Sequence, residues 1–152
     1  MIKKGIREDD PNSCYFTLPG GKLESEEKGL KSVEGRIISA KRETKSETGI
    51  DLKHLILIGT ILFNNQDRTF KNWKNPEDFL VYIFKANSGS GRLKENDGGI
   101  PYWKSISELK NLPQNPGDKL MYSWIKTGKK FFGVIKHNGN EIDYDGTWVD
   151  FF

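Results

Sequence analysis

Two runs do most to limit what this chain can fold into. His54 to Phe63 (HLILIGTILF) and Phe79 to Phe84 (FLVYIF) are rich in β-branched and aromatic residues, and they read as mostly buried strands that pair with each other. The other elements are arranged around this pair. Tyr15-Phe16-Thr17-Leu18 is a short β-prone run stopped by Pro19-Gly20-Gly21, where the chain must turn or let something approach its backbone. From Ser32, an N-cap, to Thr48 the pattern is helical, with Val33, Ile37, Ala40 and Thr44 as the buried stripe and Gly49 ending it. Asp118 to Lys126 fits a second helix, with Leu120, Met121, Trp124 and Ile125 on one face. Phe131 to Lys136, the turn His137 to Asn140 and Glu141 to Tyr144 form a hairpin. The stretches from Asn64 to Asp78 and from Ser88 to Gly99 read as polar loops. The order β, α, β, β, α, β, β predicts an α+β fold in which a mixed sheet is packed against helices, as a single domain over residues 1–152.

Composition sets bounds on function. A chain of 152 residues with nine Phe, five Tyr and four Trp can bury a real core. Its 24 basic and 21 acidic residues leave a net charge of only +3, spread along the chain, so a nucleic-acid partner is not expected while a small anionic substrate is compatible. The lone Cys14 rules out an internal disulfide and a cysteine-rich zinc site. With no signal peptide and no apolar run of about eighteen residues, no membrane partner is expected, and the expected location is the cytoplasm. His54 and His137 have no second ligand nearby in sequence and read as structural.

The first helix carries the chemistry. Glu43 and Glu47 are one turn apart with Ser46 beside them, on the border of the apolar stripe, where two carboxylates can converge on a divalent cation. The same spacing also occurs on ordinary solvated helices, so on its own it decides nothing. The preceding Gly20-Gly21 turn adds exposed backbone that can offer a carbonyl to a metal or N–H groups to a phosphate.

LPGGKLE followed by RETKSETGI resembles the Nudix box, G-x5-E-x7-R-E-U-x-E-E-x-G-U with U aliphatic. Gly21 opens the box, Arg42 and Glu43 are its R-E pair, Glu47 is the second glutamate of its E-E pair, and Gly49-Ile50 ends it. The resemblance implies an α/β/α sandwich and a Mg²⁺-dependent hydrolase of diphosphates linked to another moiety, with Mn²⁺ as the alternative metal. It also implies a metal held by Glu43, Glu47 and a carbonyl of the Gly20-Gly21 turn, here Gly21. Asp97, in KENDGG before Trp103, lies where relatives carry a loop acid that helps bind metal, and it reads equally as a turn residue.

The chain departs from the pattern in three places. Ser46 replaces the first glutamate of the E-E pair and Thr44 the aliphatic position before it, so one formal charge is missing. The box also contains seven extra residues. Glu27 keeps the x5 spacing from Gly21 but not the x7 spacing to Arg42, whereas Glu34 keeps x7. Because x7 is set by the helix, Glu34 is the expected box glutamate, with Ser25 to Lys31 as an insertion before it and a salt bridge from Arg42 to Glu34. Finally, Ile2-Lys3-Lys4 matches only the end of the strand that relatives have before the turn, so either the chain begins later than theirs or the sheet is completed in another way. The edge left by a missing strand would suit either a monomer or a homodimer.

Beyond the box, the order of motifs is similar to that of MutT-like 8-oxo-dGTP diphosphatases. In that group a tail acid reads the purine. Asp118 is retained here, but Gly117 and Asn115 stand where a second acid and a tryptophan would be, and Asp118 also reads as a helix N-cap. Phe63 and Tyr15 are candidates to stack on a base, or else core residues. The reaction implied is release of pyrophosphate from a nucleoside triphosphate, leaving the monophosphate. The alternatives are a Nudix-fold binding module with weak catalysis and a hydrolase of another diphosphate compound such as ADP-ribose.

Overall fold

The computed structural model of the chain describes residues 1–5, 13–29, 33–67 and 77–152. Its centre is the expected strand pair. β3 (Ile50–Asn64) runs antiparallel to β4 (Phe79–Gly91), in register from Ile50↔Gly91 to Phe63↔Phe79, with one shift between Leu57 and Gly59. β6 (Phe131–Asn138) joins the other side of β3 in parallel, Gly59↔Phe131 to Asn64↔Lys136, which makes the sheet mixed. β7 (Glu141–Ile142) and β8 (Trp148–Phe151) both pair antiparallel with β6. The first of these is the expected hairpin, its two-residue turn being Gly139-Asn140. β8 has no counterpart among the expected elements, because a four-residue WVDF run carries too little pattern to stand out.

Helices cover both faces of this sheet. α3 (Pro116–Lys126) lays Met121, Tyr122 and Trp124 on the face that carries Ile61, Ile83, Phe131 and Ile135, and these side chains with Leu109 are the core. Trp124 meets Phe131 edge to face, with ring centroids 5.9 Å apart. Successive strand residues face opposite ways, so Tyr82 lies on the other face from Ile83. There the guanidinium of Arg36, on α2 (Glu34–Thr48), sits 4.7 Å from the Tyr82 ring centre. The expected α+β class, with a sheet between helices, is what the chain adopts.

A second sheet holds the site in place. β1 (Ile2–Lys3) is flanked antiparallel by β2 (Phe16–Thr17) and β5 (Ile100–Pro101), and Ile2 is fully buried at its centre. Only these two residues stand for the first strand. They still bring three chain segments to the C-terminal end of α2: Lys4, the Pro19-Gly20-Gly21 turn after β2, and the Asn96–Gly99 turn before β5.

Two expectations are corrected here. Ser88–Gly91 is strand, not loop, because pairing with Ile50–Lys53 outweighs the weak β propensity of Gly and Ser. The buried residues of α2 are Gly35, Ser39, Thr44 and Thr48, while Val33, Ile37 and Ala40 are only half-buried. Small side chains let this helix lie close to its neighbours, so the buried line does not follow hydrophobicity. The end of α2 is as expected, with Gly49 in the left-handed region at φ 80°. Ser32 and the middle of the Asn64–Asp78 loop lie outside the described residues.

Candidate active site

One helical face of α2 presents Arg42, Glu43 and Glu47 to the glycine turn. Gly21 passes so close to Glu43 that an added Cβ would lie 2.5 Å from its carboxyl carbon, so only glycine fits beside this carboxylate. One turn further on, Glu47 accepts the backbone N–H of Gly20 on Oε2 at 2.9 Å and the ammonium of Lys4 on Oε1 at 3.1 Å. Both carboxylates therefore border the same turn.

Arg42 ties this face to the segment before it. Its Nε and Nη2 donate to the two oxygens of Glu27 at 2.8 and 3.1 Å, and its Nη1 donates to Glu43 at 2.6 Å. Nη1 also lies 3.2 Å from Glu24, and Nη2 reaches the Lys22 carbonyl at 3.3 Å. Glu27 belongs to the one-turn helix α1 (Ser25–Lys28), where it also accepts the backbone N–H of Glu24 at 2.7 Å in a reciprocal cap. The Arg42 hydrogen bonds, then that backbone bond, hold the Glu27 carboxyl down at about 2 against the opposing effect of desolvation. Its hydrogen bonds to Glu27, then to Glu43, push the Arg42 guanidinium up.

The salt bridge expected from Arg42 to Glu34 is thus made to Glu27 instead. Glu34 is exposed in the first turn of α2, eight residues before Arg42, which is about 12 Å along a helix. With Glu27 as the partner of Arg42, the extra residues fall after that glutamate. Fourteen residues separate Glu27 from Arg42 where the pattern has seven, while Gly21 and Glu27 keep the x5 spacing.

Ser46 is exposed, and its carbonyl, with that of Glu47, accepts the side-chain amide of Asn96 at 3.1 and 2.7 Å. This docks the Asn96–Gly99 turn on the end of α2. Asp97 lies at the exposed tip of that turn, and Gly98 is turned towards the Glu47 carboxylate. Asp97 is therefore a turn residue next to the site. Among the described residues, no three His, Cys, Asp or Glu side chains converge to hold a metal. What the helix offers beside the turn is two carboxylates. Those hard donors fit a small divalent cation that keeps much of its water shell.

Two of the expected base-reading residues, Phe63 and Asp118, lie away from this turn, on β3 and in the first turn of α3. The Phe63 ring stacks on His137, with centroids 6.3 Å apart and planes 16° from parallel. Gly117 fits over both, since a Cβ there would lie 3.1 Å from each ring. Asp118 follows it. The cap position of α3 is Asn115, so Asp118 is not the N-cap but a first-turn acid; burial first, then the Asp118 charge, raises the Tyr122 hydroxyl well above its ordinary range. His137 is a buried member of β6, in keeping with a structural role, and His54 is exposed on β3. Sequence reasoning missed Lys4 at the Glu47 carboxylate. It also passed over Glu27, although the x5 spacing from Gly21 pointed to it.

The family model described as the NUDIX domain matches residues 1–125. The chain belongs to the Nudix family. Nudix hydrolases act on phosphoric anhydride bonds and generally use divalent metal ions. The chain is 30% identical over 122 residues to the uncharacterized Nudix hydrolase YvcI of Bacillus subtilis (strain 168), a match that covers 78% of this chain and 69% of that protein. It is 28% identical over 104 residues to an oxidized purine nucleoside triphosphate hydrolase of Danio rerio, covering 68% of this chain and 62% of that one. A crystal structure of the mutator MutT protein from Bacillus halodurans superposes with a TM-score of 0.68 at 24% identity, over 99% of this chain and 86% of that one, which shows a shared Nudix fold. No helix among the described residues is long and apolar enough to cross a membrane.

Proposed function

We propose that this Nudix protein is a Mg²⁺-dependent nucleoside triphosphate diphosphatase that releases pyrophosphate and leaves the monophosphate, with oxidised purine nucleotides of the 8-oxo-dGTP type as its substrate class. The observation that carries the reading is the placement of Glu43 and Glu47 on either side of the Gly20-Gly21 turn. When bound there, the cation would neutralise phosphate oxygens and activate water. Arg42, fixed by Glu27, holds the Glu43 carboxylate in place, and the turn presents backbone to the phosphates. Phe63, against which Gly117 packs, and Asp118, the residue after that glycine, are the base-contacting candidates, and the Danio rerio relative supports the choice of substrate class. The enzyme would act in the cytoplasm on a small nucleotide, as a monomer or homodimer, without a nucleic-acid or membrane partner. The test is a nucleotide panel assayed for pyrophosphate with and without Mg²⁺; no turnover of any nucleotide at millimolar metal would defeat the proposal.

Ser46 favours a second reading, a nucleotide-binding module with weak catalysis, because the box loses a carboxylate there. Ser46→Glu separates the two. A many-fold rise from near-zero activity identifies a degenerate site, and a wild type that is already fast excludes it.

A further inference from the structure

We propose that Lys4 is an internal counter-ion of the metal centre, which occupies the Glu47 carboxylate in the metal-free protein and competes with the divalent cation for it. The inference rests on the metal role given to Glu47 above. Lys4 directly follows β1, and its ammonium lies 3.1 Å from Glu47 Oε1, while Oε2 takes the Gly20 N–H at 2.9 Å. Both oxygens are engaged before a cation arrives. The two side chains are only 21% and 16% exposed, so solvent screens this pair less than a surface one.

A cation that binds Glu47 while the ammonium stays in place would put three positive charges around one carboxylate. The ammonium has to withdraw, or the metal binds weakly. Ser46 acts in the same direction. Relative to a box with both glutamates and no lysine, the site has one negative charge fewer and one positive charge more, a change of two units. Nearby, Glu43 is already shared with Arg42. The exchange also has a structural side: the Lys4–Glu47 pair fastens the end of a two-residue strand to α2, while the Gly20 N–H holds the glycine turn to the same carboxylate, and a cation on Glu47 would replace the Lys4 tie.

The test is the Mn²⁺ dissociation constant, read from free Mn²⁺ by electron paramagnetic resonance, together with urea unfolding in the absence and presence of Mn²⁺. Lys4→Gln and Lys4→Met, the latter keeping the apolar stem, are expected to bind Mn²⁺ about three- to tenfold tighter, the range of a partly shielded ion pair. Both should be less stable than wild type without metal, and the gap should close at saturating Mn²⁺. Lys4→Arg, which keeps the charge, should bind no tighter than wild type. Lys3→Gln removes the same charge from an exposed neighbour and should stay within twofold of wild type. Unchanged or weaker binding in both neutral Lys4 variants, or equal tightening by Lys3→Gln, overturns the proposal. Glu47→Gln separates the two layers. If it leaves Mn²⁺ binding intact, the metal role of Glu47 falls and the counter-ion with it; if it weakens binding while the Lys4 variants change nothing, the counter-ion alone falls.

Discussion

Replacing Gly21 with alanine should damage the site far more than the fold. The new Cβ would lie 2.5 Å from Cδ and Oε1 of Glu43 and 2.9 Å from Oε2. Non-bonded carbons rest at about 3.5–4.0 Å, so the carboxylate must retreat by roughly 1 Å. A misplacement of that size costs about 10²-fold in rate, equivalent to about 2.7 kcal/mol of transition-state stabilisation. The fold loses little, because the obstructed atoms are the end of a flexible side chain and the main cost is a weakened Arg42–Glu43 contact, about 1 kcal/mol. For a chain of this length that is about 2–4 °C in melting temperature. The assay is pyrophosphate release at saturating Mg²⁺, with thermal unfolding measured alongside. Gly20→Ala is the comparison: its Cβ meets nothing within 4 Å, so its loss of rate should be at least tenfold smaller. If Gly21→Ala keeps more than a tenth of wild-type activity, or Gly20→Ala loses as much, the proposed placement of Glu43 is wrong.

The Glu27 carboxyl, held at about 2 against an ordinary 4.5, makes stability depend on acid. Its folded value is depressed, so its contribution is fully present above about pH 4.5 and is lost as pH falls towards 2. Urea midpoints measured across that window should show a limb that Glu27→Gln removes and Glu34→Gln keeps, and the opposite pattern would return the Arg42 partnership to Glu34. Gly59→Ala should destabilise the core by about 1–3 kcal/mol, since its Cβ would lie 2.3 Å from the ring of the buried Phe131; a urea midpoint equal to wild type would contradict this packing.

The parts of the fold legible in sequence were those with strong local patterns. β3, β4, α3 and the Gly49 stop announce themselves through periodicity, bulk or backbone chemistry. Ser88–Gly91 did not, because its strand character comes from a partner strand and not from its own residues. The stripe of α2 misled because close packing chose Gly35 and Ser39 over Ile37. At the site, Glu43 and Glu47 were readable because helical spacing is rigid. The salt-bridge partner of Arg42 was not readable in the same way, because Glu27 lies on a separate helix, and helical spacing does not carry across the junction between α1 and α2. Lys4 was invisible for a different reason: it meets Glu47 across 43 residues, and no local pattern encodes that distance.

The forked contact between Arg42 and Glu27 has a consequence for how this protein can vary. It joins the two ends of the segment that carries the extra residues, so the chain between those ends forms a closed detour whose length does not enter the geometry of Glu43 and Glu47. Loop closure grows only slowly more costly with length, by about 0.6 kcal/mol for each doubling. An insertion between Lys28 and Glu34 should therefore leave the Arg42–Glu27 clasp, and with it the register of Glu43 and Glu47, intact.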